Sequence, residues 1–165
     1  MEKEFHEIYE KYANDLYGFI LKMCCNEQLA NDLLQDTMMH AMMSADKFRN
    51  ECSVKSWLCT IAKNLYYNYL KRSENRNLPL ETITDASDTE NIEQLVSDSE
   101  TSVRIHHVLH KLEEPYREVL SLRIFAELKF SDIGGIFGKS ENWACVTFYR
   151  AKQKLIKMLE EERII

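Results

Sequence analysis

An all-α protein made of two small helical domains is the fold that this sequence predicts. Three observations predict it: apolar residues recur every three or four positions, only 4 Gly and 2 Pro occur among 165 residues, and charge is segregated along the chain. So few turn-forming residues disfavour β-sandwiches and glycine-rich phosphate loops. A hydrophobic content of 45% is enough for one modest core or two small ones.

Three amphipathic helices are expected in a first domain over residues 1–73. Apolar stripes predict one helix over residues 5–23 and another over residues 29–45. A polar stretch over residues 47–52 predicts a loop, after which Ser53 can cap the third helix. The predicted buried stripe of that helix consists of Val54, Trp57, Leu58, Ile61, Leu65 and Tyr69.

A polar segment over residues 74–101 predicts a flexible acidic linker. The second domain, residues 102–165, resumes the helical periodicity, and Pro115 suits the first turn of a helix that reaches Phe125. Ser131 is expected to cap a short helix that ends before Gly138.

A long helix from Glu141 to about Glu160 follows, with Ser140 as its predicted cap. A short helix, a glycine turn and a long basic helix together have the layout of a helix-turn-helix. In that motif the second helix enters the DNA major groove. The sequence therefore indicates a DNA-binding second domain.

Charge segregation also indicates a nucleic-acid partner, although the formal net charge is −6. The segment Lys47–Arg76 carries a net charge of +5, and Lys129–Lys157 carries +4. The segment Met1–Asp46 carries −6 and Glu81–Thr101 carries −7. Two separate basic islands suit a protein that binds one polyanion at two places and a different partner with its acidic N-terminal helices.

Cysteine usage and hydropathy indicate a cytoplasmic protein. No stretch approaches the roughly 20 apolar residues that span a bilayer, and the acidic N-terminus does not resemble a signal peptide. An odd number of cysteines with no CxxC pair favours reduced thiols over a disulfide framework or a zinc finger. The five are Cys24, Cys25, Cys52, Cys59 and Cys145.

Four polar residues share one face of the second predicted helix: Asp32, Gln35, Asp36 and His40. Such a set could bind a metal in a helical bundle, but the chain offers no second set, so a helical metalloenzyme is a distant alternative. His106, His107 and His110, which include one i, i+4 pair, are expected to be surface histidines. With no nucleophile beside a paired base, neither catalysis nor a cofactor is expected.

Three segments of the chain, in order, resemble a bacterial RNA polymerase sigma factor of the extracytoplasmic-function (ECF) group. Asp32–Met42 (DLLQDTMMHAM) resembles the family's polymerase-binding helix, Lys47–Arg72 its promoter-melting segment, and Leu112–Leu155 its helix-turn-helix domain. The resemblance implies a factor that binds core RNA polymerase, recognises two promoter elements and helps melt the downstream one. It also implies a cognate anti-sigma factor, which in this family is often membrane-bound.

The main alternative is a conventional helix-turn-helix regulator whose N-terminal half senses a ligand or dimerises. A second basic island beside Trp57 disfavours this alternative, because a regulator does not need a second DNA-binding surface there. Trp57 itself lies on the apolar stripe, and we expect it to position the preceding loop rather than to stack on a base.

The resemblance assigns roles to three groups of residues. For polymerase binding they are Asp32, Gln35, Asp36 and His40. For the minus-ten element they are Phe48, Arg49, Asn50, Lys55, Lys63 and Asn64, where positive charge and flat groups can hold unstacked DNA. For the minus-thirty-five element they are Ser140, Trp143, Cys145, Val146, Thr147, Tyr149, Arg150 and Lys152.

One departure from the family concerns the recognition helix. Cys145 and Thr147 stand where family members typically carry basic residues, so no arginine is available there for bidentate contact to guanine. We therefore expect upstream recognition through backbone contacts, thymine methyl groups and DNA shape. Arg150 and Lys152 keep the family's basic character one turn further along.

Overall fold

The structure, a computed structural model, describes residues 2–75 and 104–163. Every regular element in these two ranges is helical, which confirms the predicted all-α class. The predicted linker, apart from its first two residues, lies outside the described residues. The elements are α1 (Glu2–Cys24), α2 (Glu27–Met43), a 3₁₀ turn (Ala45–Lys47), α3 (Val54–Asn75), α4 (residues 104–110), α5 (Tyr116–Ile124), α6 (Phe130–Phe137) and α7 (Glu141–Glu161).

Side-chain caps define where three of the helices begin. The Asn26 side chain accepts a hydrogen bond from the backbone N–H of Leu29 at 3.0 Å. Ser53 Oγ accepts one from the N–H of Ser56 at 3.1 Å, and Ser140 Oγ accepts one from the N–H of Trp143 at 3.0 Å. Each cap satisfies an N–H that has no partner within the helix, and the predicted roles of Ser53 and Ser140 are confirmed.

The prediction that Ser131 caps α6 is wrong. α6 begins at Phe130, and its N-cap, Lys129, makes no side-chain capping hydrogen bond. Packing fixes this helix start instead, because the Phe130 ring lies 5.5 Å from the ring of Phe148 on α7. The other end follows the sequence prediction: Gly138 has φ 64°, a left-handed conformation that glycine adopts without a steric penalty.

One hydrophobic core crosses from the N-terminal half of the molecule into the C-terminal half. In the N-terminal half it includes fully buried side chains such as Phe19, Ile20 and Leu58. It continues through Leu122 on α5 and Ile133 on α6. The two halves therefore pack against each other, and a smaller cluster lies within the C-terminal half: Leu109, Leu112, Leu120 and Ala151.

The buried face of α3 differs from the predicted stripe. Tyr69, predicted to be buried, is 42% exposed. α3 packs not only on α1 and α2 but also on α6 from the other half, so its buried face is wider than an isolated three-helix domain requires. The buried residues on α3 are Ser56, Leu58, Cys59, Ala62, Lys63 and Tyr66.

Candidate nucleic-acid interface and partner surfaces

The acidic α2 face, defined as Asp32, Gln35, Asp36 and His40, is exposed at all four positions. The opposite side of the helix is buried and includes Leu33, Thr37 and Met38. The Thr37 hydroxyl donates to the backbone carbonyl of Leu33 at 2.6 Å, so this buried polar group is satisfied within the helix. α2 therefore presents an uninterrupted polar strip to solvent.

Three exposed methionines extend the acidic α2 face at the C-terminal end of the helix. Met39, Met42 and Met43 are 55%, 54% and 77% exposed. Met42 belongs to the apolar stripe predicted over residues 29–45, but it faces solvent because Ala41 and Met38 fill the space against the core instead. Thioether side chains are flexible and polarizable, so this tip is suited to packing against another surface.

The loop over residues 48–53, called the melting loop below, is held by an aromatic pair. The Phe48 ring lies 4.9 Å from the ring of Trp57, which packs against the core from α3. This agrees with the expected positioning role of Trp57. Asn50, at the exposed tip of the loop, has φ 55°, a conformation that Asn tolerates better than most residues. Arg49 is exposed beside it.

The two lysines assigned to minus-ten DNA both lie close to carboxylates. Lys55 Nζ is 3.7 Å from Asp15 and remains partly exposed. Lys63 was expected off the buried stripe, but it is only 3% exposed, and its Nζ lies 2.9 Å from Glu118 on α5. Asn64 is exposed. In this arrangement of the two halves Lys63 is therefore enclosed, while Asn64 next to it is accessible.

Close backbone packing joins α6 and α7 into a helix-turn-helix. A Cβ atom on Gly134 would lie 2.7 Å from the carbonyl oxygen of Ser140 and 2.8 Å from that of Lys139. Only a residue without a side chain fits there, so Gly134 sets how closely α6 approaches the start of α7. This packing fixes the orientation of the predicted recognition helix.

The exposed face of α7 contains only part of the residue set predicted for minus-thirty-five DNA. Val146, Tyr149, Arg150 and Lys152 are exposed. Thr147 is 6% exposed because it lies on the core-facing side of the helix, so its assignment to the minus-thirty-five set is corrected. The remaining members have structural partners or partial burial: Ser140 caps the helix, the Trp143 ring lies 5.3 Å from the tilted ring of Phe137, and Cys145 is half-buried.

Asn142 is a candidate DNA-contacting residue that sequence reasoning missed. It is exposed in the first turn of α7, four residues before Val146 and seven before Tyr149. This spacing places the three side chains along one face of the helix. The same i, i+4, i+7 pattern is visible in the sequence and could have identified Asn142.

His107 is exposed, as expected, but His106 and His110 are partly buried, contrary to the sequence prediction. They border a small cavity between α4 and α3, where the His110 Nε2 atom lies 3.4 Å from the Tyr66 hydroxyl. The His106 ring stacks on Phe125 at 5.2 Å. Burial, together with the nearby His106 and Arg117 side chains, lowers the pKa of His110 to about 4. These histidines are therefore neutral components of the packing between the two halves at neutral pH.

All five cysteines are free thiols, as the sequence predicted. Burial raises the pKa of Cys24 to about 11 and that of Cys59 to about 12, which leaves both thiols protonated and unreactive at neutral pH. Within residues 2–75 and 104–163, no group of three or more His, Cys, Asp or Glu side chains is arranged to hold a metal ion. No helix in the same two ranges is long and apolar enough to cross a bilayer.

Comparison with known proteins gives matches along nearly the whole chain. The Sigma-70 region 2 family model matches residues 8–76. The RNA polymerase sigma factor YlaC of Bacillus subtilis is 30% identical, with 96% of this chain and 95% of YlaC aligned. The ECF RNA polymerase sigma factor SigM of the same organism is 34% identical, over 90% of this chain and 91% of SigM.

Two solved structures share the fold. CnrH, in a structure with the cytosolic domain of CnrY, is 18% identical with a TM-score of 0.62, covering 98% of this chain and 90% of CnrH. The sigma factor RpoE, in a structure with the anti-sigma factor NepR from Bartonella quintana, is 21% identical with a TM-score of 0.61, covering 96% of this chain and 98% of RpoE.

Proposed function

The chain belongs to the ECF group of RNA polymerase sigma factors, and on that premise we propose how its surfaces divide the work of transcription initiation. The acidic α2 face binds core RNA polymerase, the melting loop with α3 recognises and opens the minus-ten element, and α7 recognises the minus-thirty-five element. Catalysis belongs to the polymerase, and the chain acts with it in the cytoplasm.

Charge and exposure support the assignment of α2 to polymerase binding. Asp32 and Asp36 are one helical turn apart and both exposed, so both carboxylates can meet a basic partner surface together. The exposed Met39 and Met43 next to them add apolar contact area. A polar strip with an adjoining apolar tip has the composition of a protein-binding surface rather than of a DNA-binding one.

Geometry supports the assignment of the melting loop to single-stranded DNA. Phe48 and Trp57 form an aromatic support beneath a loop whose tip exposes Arg49 and Asn50. An unstacked base needs a flat or amide-bearing pocket, and the strand beside it needs positive charge. Lys55 and Asn64 lie on α3, directly after the loop and two turns further along.

The exposed face of α7 supports recognition with little guanine readout. Val146 can contact a thymine methyl group, and Asn142 has the amide that pairs with an adenine edge. Arg150 and Lys152 are exposed on the next turn and are suited to phosphate contacts. Cys145 remains half-buried, which limits its reach toward a base.

An anti-sigma factor is the second protein partner that we propose. The structure of RpoE contains such a factor, NepR, and RpoE shares the fold of this chain. The exposed methionines of α2 and the DNA-facing surfaces offer an inhibitor the same contacts that polymerase and promoter use.

The observation that carries the proposal is the presence, on one three-helix half, of both the exposed acidic α2 face and the aromatic-supported melting loop. Transcription by core polymerase from a promoter library, with and without this chain, tests it. We expect promoter-specific transcripts only when the chain is present. A chain that binds duplex DNA by itself but leaves core polymerase inactive on every promoter would instead be a helix-turn-helix regulator.

A further inference from the structure

Three methionine side chains lie in solvent at the C-terminal end of α2. Met39, Met42 and Met43 are 55%, 54% and 77% exposed, and together they are called the methionine tip below. A methionine side chain is apolar and usually fills gaps in a core, so burial against another surface would stabilise each of these three. The tip is therefore a contact surface whose sulfur atoms are open to reagents in water while the contact is not made.

The other methionines that the structure describes are protected from solvent. Met23 and Met38 are each 4% exposed. Met158 is half-buried against the small apolar cluster of the C-terminal half. The side chains are chemically identical, so their difference in access to solvent comes from position alone. An oxidant dissolved in water reaches the methionine tip first.

The methionine tip continues the acidic α2 face along the same side of the helix. Met39 lies seven positions after Asp32, and Met43 lies seven positions after Asp36. Seven residues make almost two full turns of an α-helix, so each methionine lies on the face that carries the corresponding carboxylate. A partner that covers the two carboxylates along this face also covers the thioethers.

Hydrogen peroxide converts an exposed thioether into a sulfoxide. The O–O bond of the peroxide breaks, one oxygen atom bonds to sulfur, and the other leaves as water with both hydrogen atoms. Sulfur loses two electrons and the peroxide gains them. The product is a polar, chiral side chain, and methionine sulfoxide reductases A and B return its two epimers to the thioether.

The buried thiols react with peroxide by a different rule, because a thiol must first lose its proton and a thioether has none to lose. Burial raises the pKa of Cys25 and that of Cys52, so both thiols are protonated at neutral pH. The reactivity of a methionine depends instead on its exposure to solvent. This difference favours the methionine tip over these cysteines as the site of oxidation.

We propose that the methionine tip is a reversible oxidation site, and that its conversion to sulfoxide by peroxide weakens the binding of this factor to core RNA polymerase. This inference rests on the proposed function of α2. In the complex the thioethers form apolar contacts, and a sulfoxide oxygen placed there must give up its water without gaining a partner, which disfavours binding. The fold itself is unaffected, because the modified side chains lie outside the core.

Peroxide treatment of the full-length chain tests the proposal, with the peroxide removed before core RNA polymerase is added. Mass spectrometry of peptides should find the added oxygen on Met39, Met42 and Met43, with Met23 and Met38 unmodified. Fluorescence anisotropy of the labelled chain should show about tenfold weaker binding to core polymerase after oxidation. Affinity should recover after treatment with both reductases, and circular dichroism should show unchanged helical content.

Two variants locate the effect, and the affinity of each variant after peroxide is compared with its own affinity before. The triple variant Met39→Leu, Met42→Leu, Met43→Leu keeps every cysteine and an apolar tip but has no exposed sulfur there, so its two affinities should be equal. Met158→Leu keeps the methionine tip, and we expect it to lose as much affinity as the original chain.

The proposal is refuted if sulfoxides form at the methionine tip and the affinity for core polymerase does not change. An equal loss in the triple variant also refutes it, because a cysteine or another methionine would then be responsible. A loss of affinity that the two reductases do not reverse contradicts it as well. If the untreated chain does not bind core polymerase at all, the proposed function is refuted instead.

Discussion

Replacing Gly134 by Ala should destabilise the helix-turn-helix, although the same change usually stabilises a helix. The new Cβ would lie 2.7 Å from the Ser140 carbonyl oxygen and 2.8 Å from that of Lys139, well inside van der Waals contact. Both atoms belong to the backbone of the turn, so no flexible side chain can move aside. α6 and α7 must therefore separate by several tenths of an ångström.

The magnitude follows from two opposing effects. Overpacking of a close contact typically costs about 1–3 kcal/mol, whereas Gly→Ala inside a helix contributes about 0.5–1 kcal/mol of stability. The two ranges leave a net loss of about 0–2.5 kcal/mol, and we expect the free energy of unfolding to fall by about 1 kcal/mol, the middle of that range. For a chain of this size that corresponds to a melting temperature lower by roughly 2–4 °C.

Gly18→Ala is the matched control, because no atom lies within 4 Å of a Cβ built at that position of α1. We expect this variant to be more stable by about 0.5–1 kcal/mol. Urea unfolding followed by circular dichroism measures both variants in the full-length chain. If Gly134→Ala is neutral, or as stabilising as Gly18→Ala, the steric argument is wrong.

Three further predictions concern pH, polymerase and DNA. Because the pKa of His110 is about 4 in the folded chain and about 6.5 in an unfolded one, the unfolded state binds the proton first as pH falls. Urea unfolding should then give a free energy of unfolding about 2 kcal/mol lower at pH 5 than at pH 7.5. A His110→Gln variant that loses as much stability over the same pH range would contradict this. Asp36→Lys should weaken core-polymerase binding about tenfold or more, because the new lysine is repelled by a basic polymerase surface. Glu7 is exposed on α1, and the control variant Glu7→Lys should bind normally. If these two variants bind core polymerase with equal affinity, the assignment of α2 to the polymerase interface is wrong. Arg150→Ala should weaken binding to many upstream sequences and reduce the salt slope by about 0.9, the value for one phosphate contact. If the variant instead loses its sequence preference at one base pair and keeps the same salt slope, Arg150 contacts a base rather than a phosphate.

Local sequence signals predicted the starts of α3 and α7 and the end of α6 correctly because their causes are local. Ser53 and Ser140 each cap a helix through a hydrogen bond to a residue three positions later. Gly138 ends α6 through its own backbone conformation. Such features depend on a few neighbouring residues, so they can be identified before any tertiary contact is known.

The contacts between the two halves could not be predicted in this way. Lys63 and Glu118 are 55 positions apart, as the sequence numbering shows, and neither has a periodic signal that points to the other. A lysine on a basic segment is expected to be solvated, and His106 and His110 are expected to be exposed, unless an opposing surface is known. Periodicity also could not distinguish the core-facing Thr147 from the exposed Val146, because both lie on a helix with mixed polar and apolar residues.

The buried Lys63–Glu118 pair also has a consequence for the precision with which the two halves come together. Removal of two charges from water offsets much of their attraction, so the pair adds little to the strength of the interface. A misplaced approach, however, leaves one charge buried without a partner, which costs several kcal/mol. The shared hydrophobic core therefore supplies the strength of the packing, and the ion pair restricts the halves to the one orientation in which both charges are satisfied.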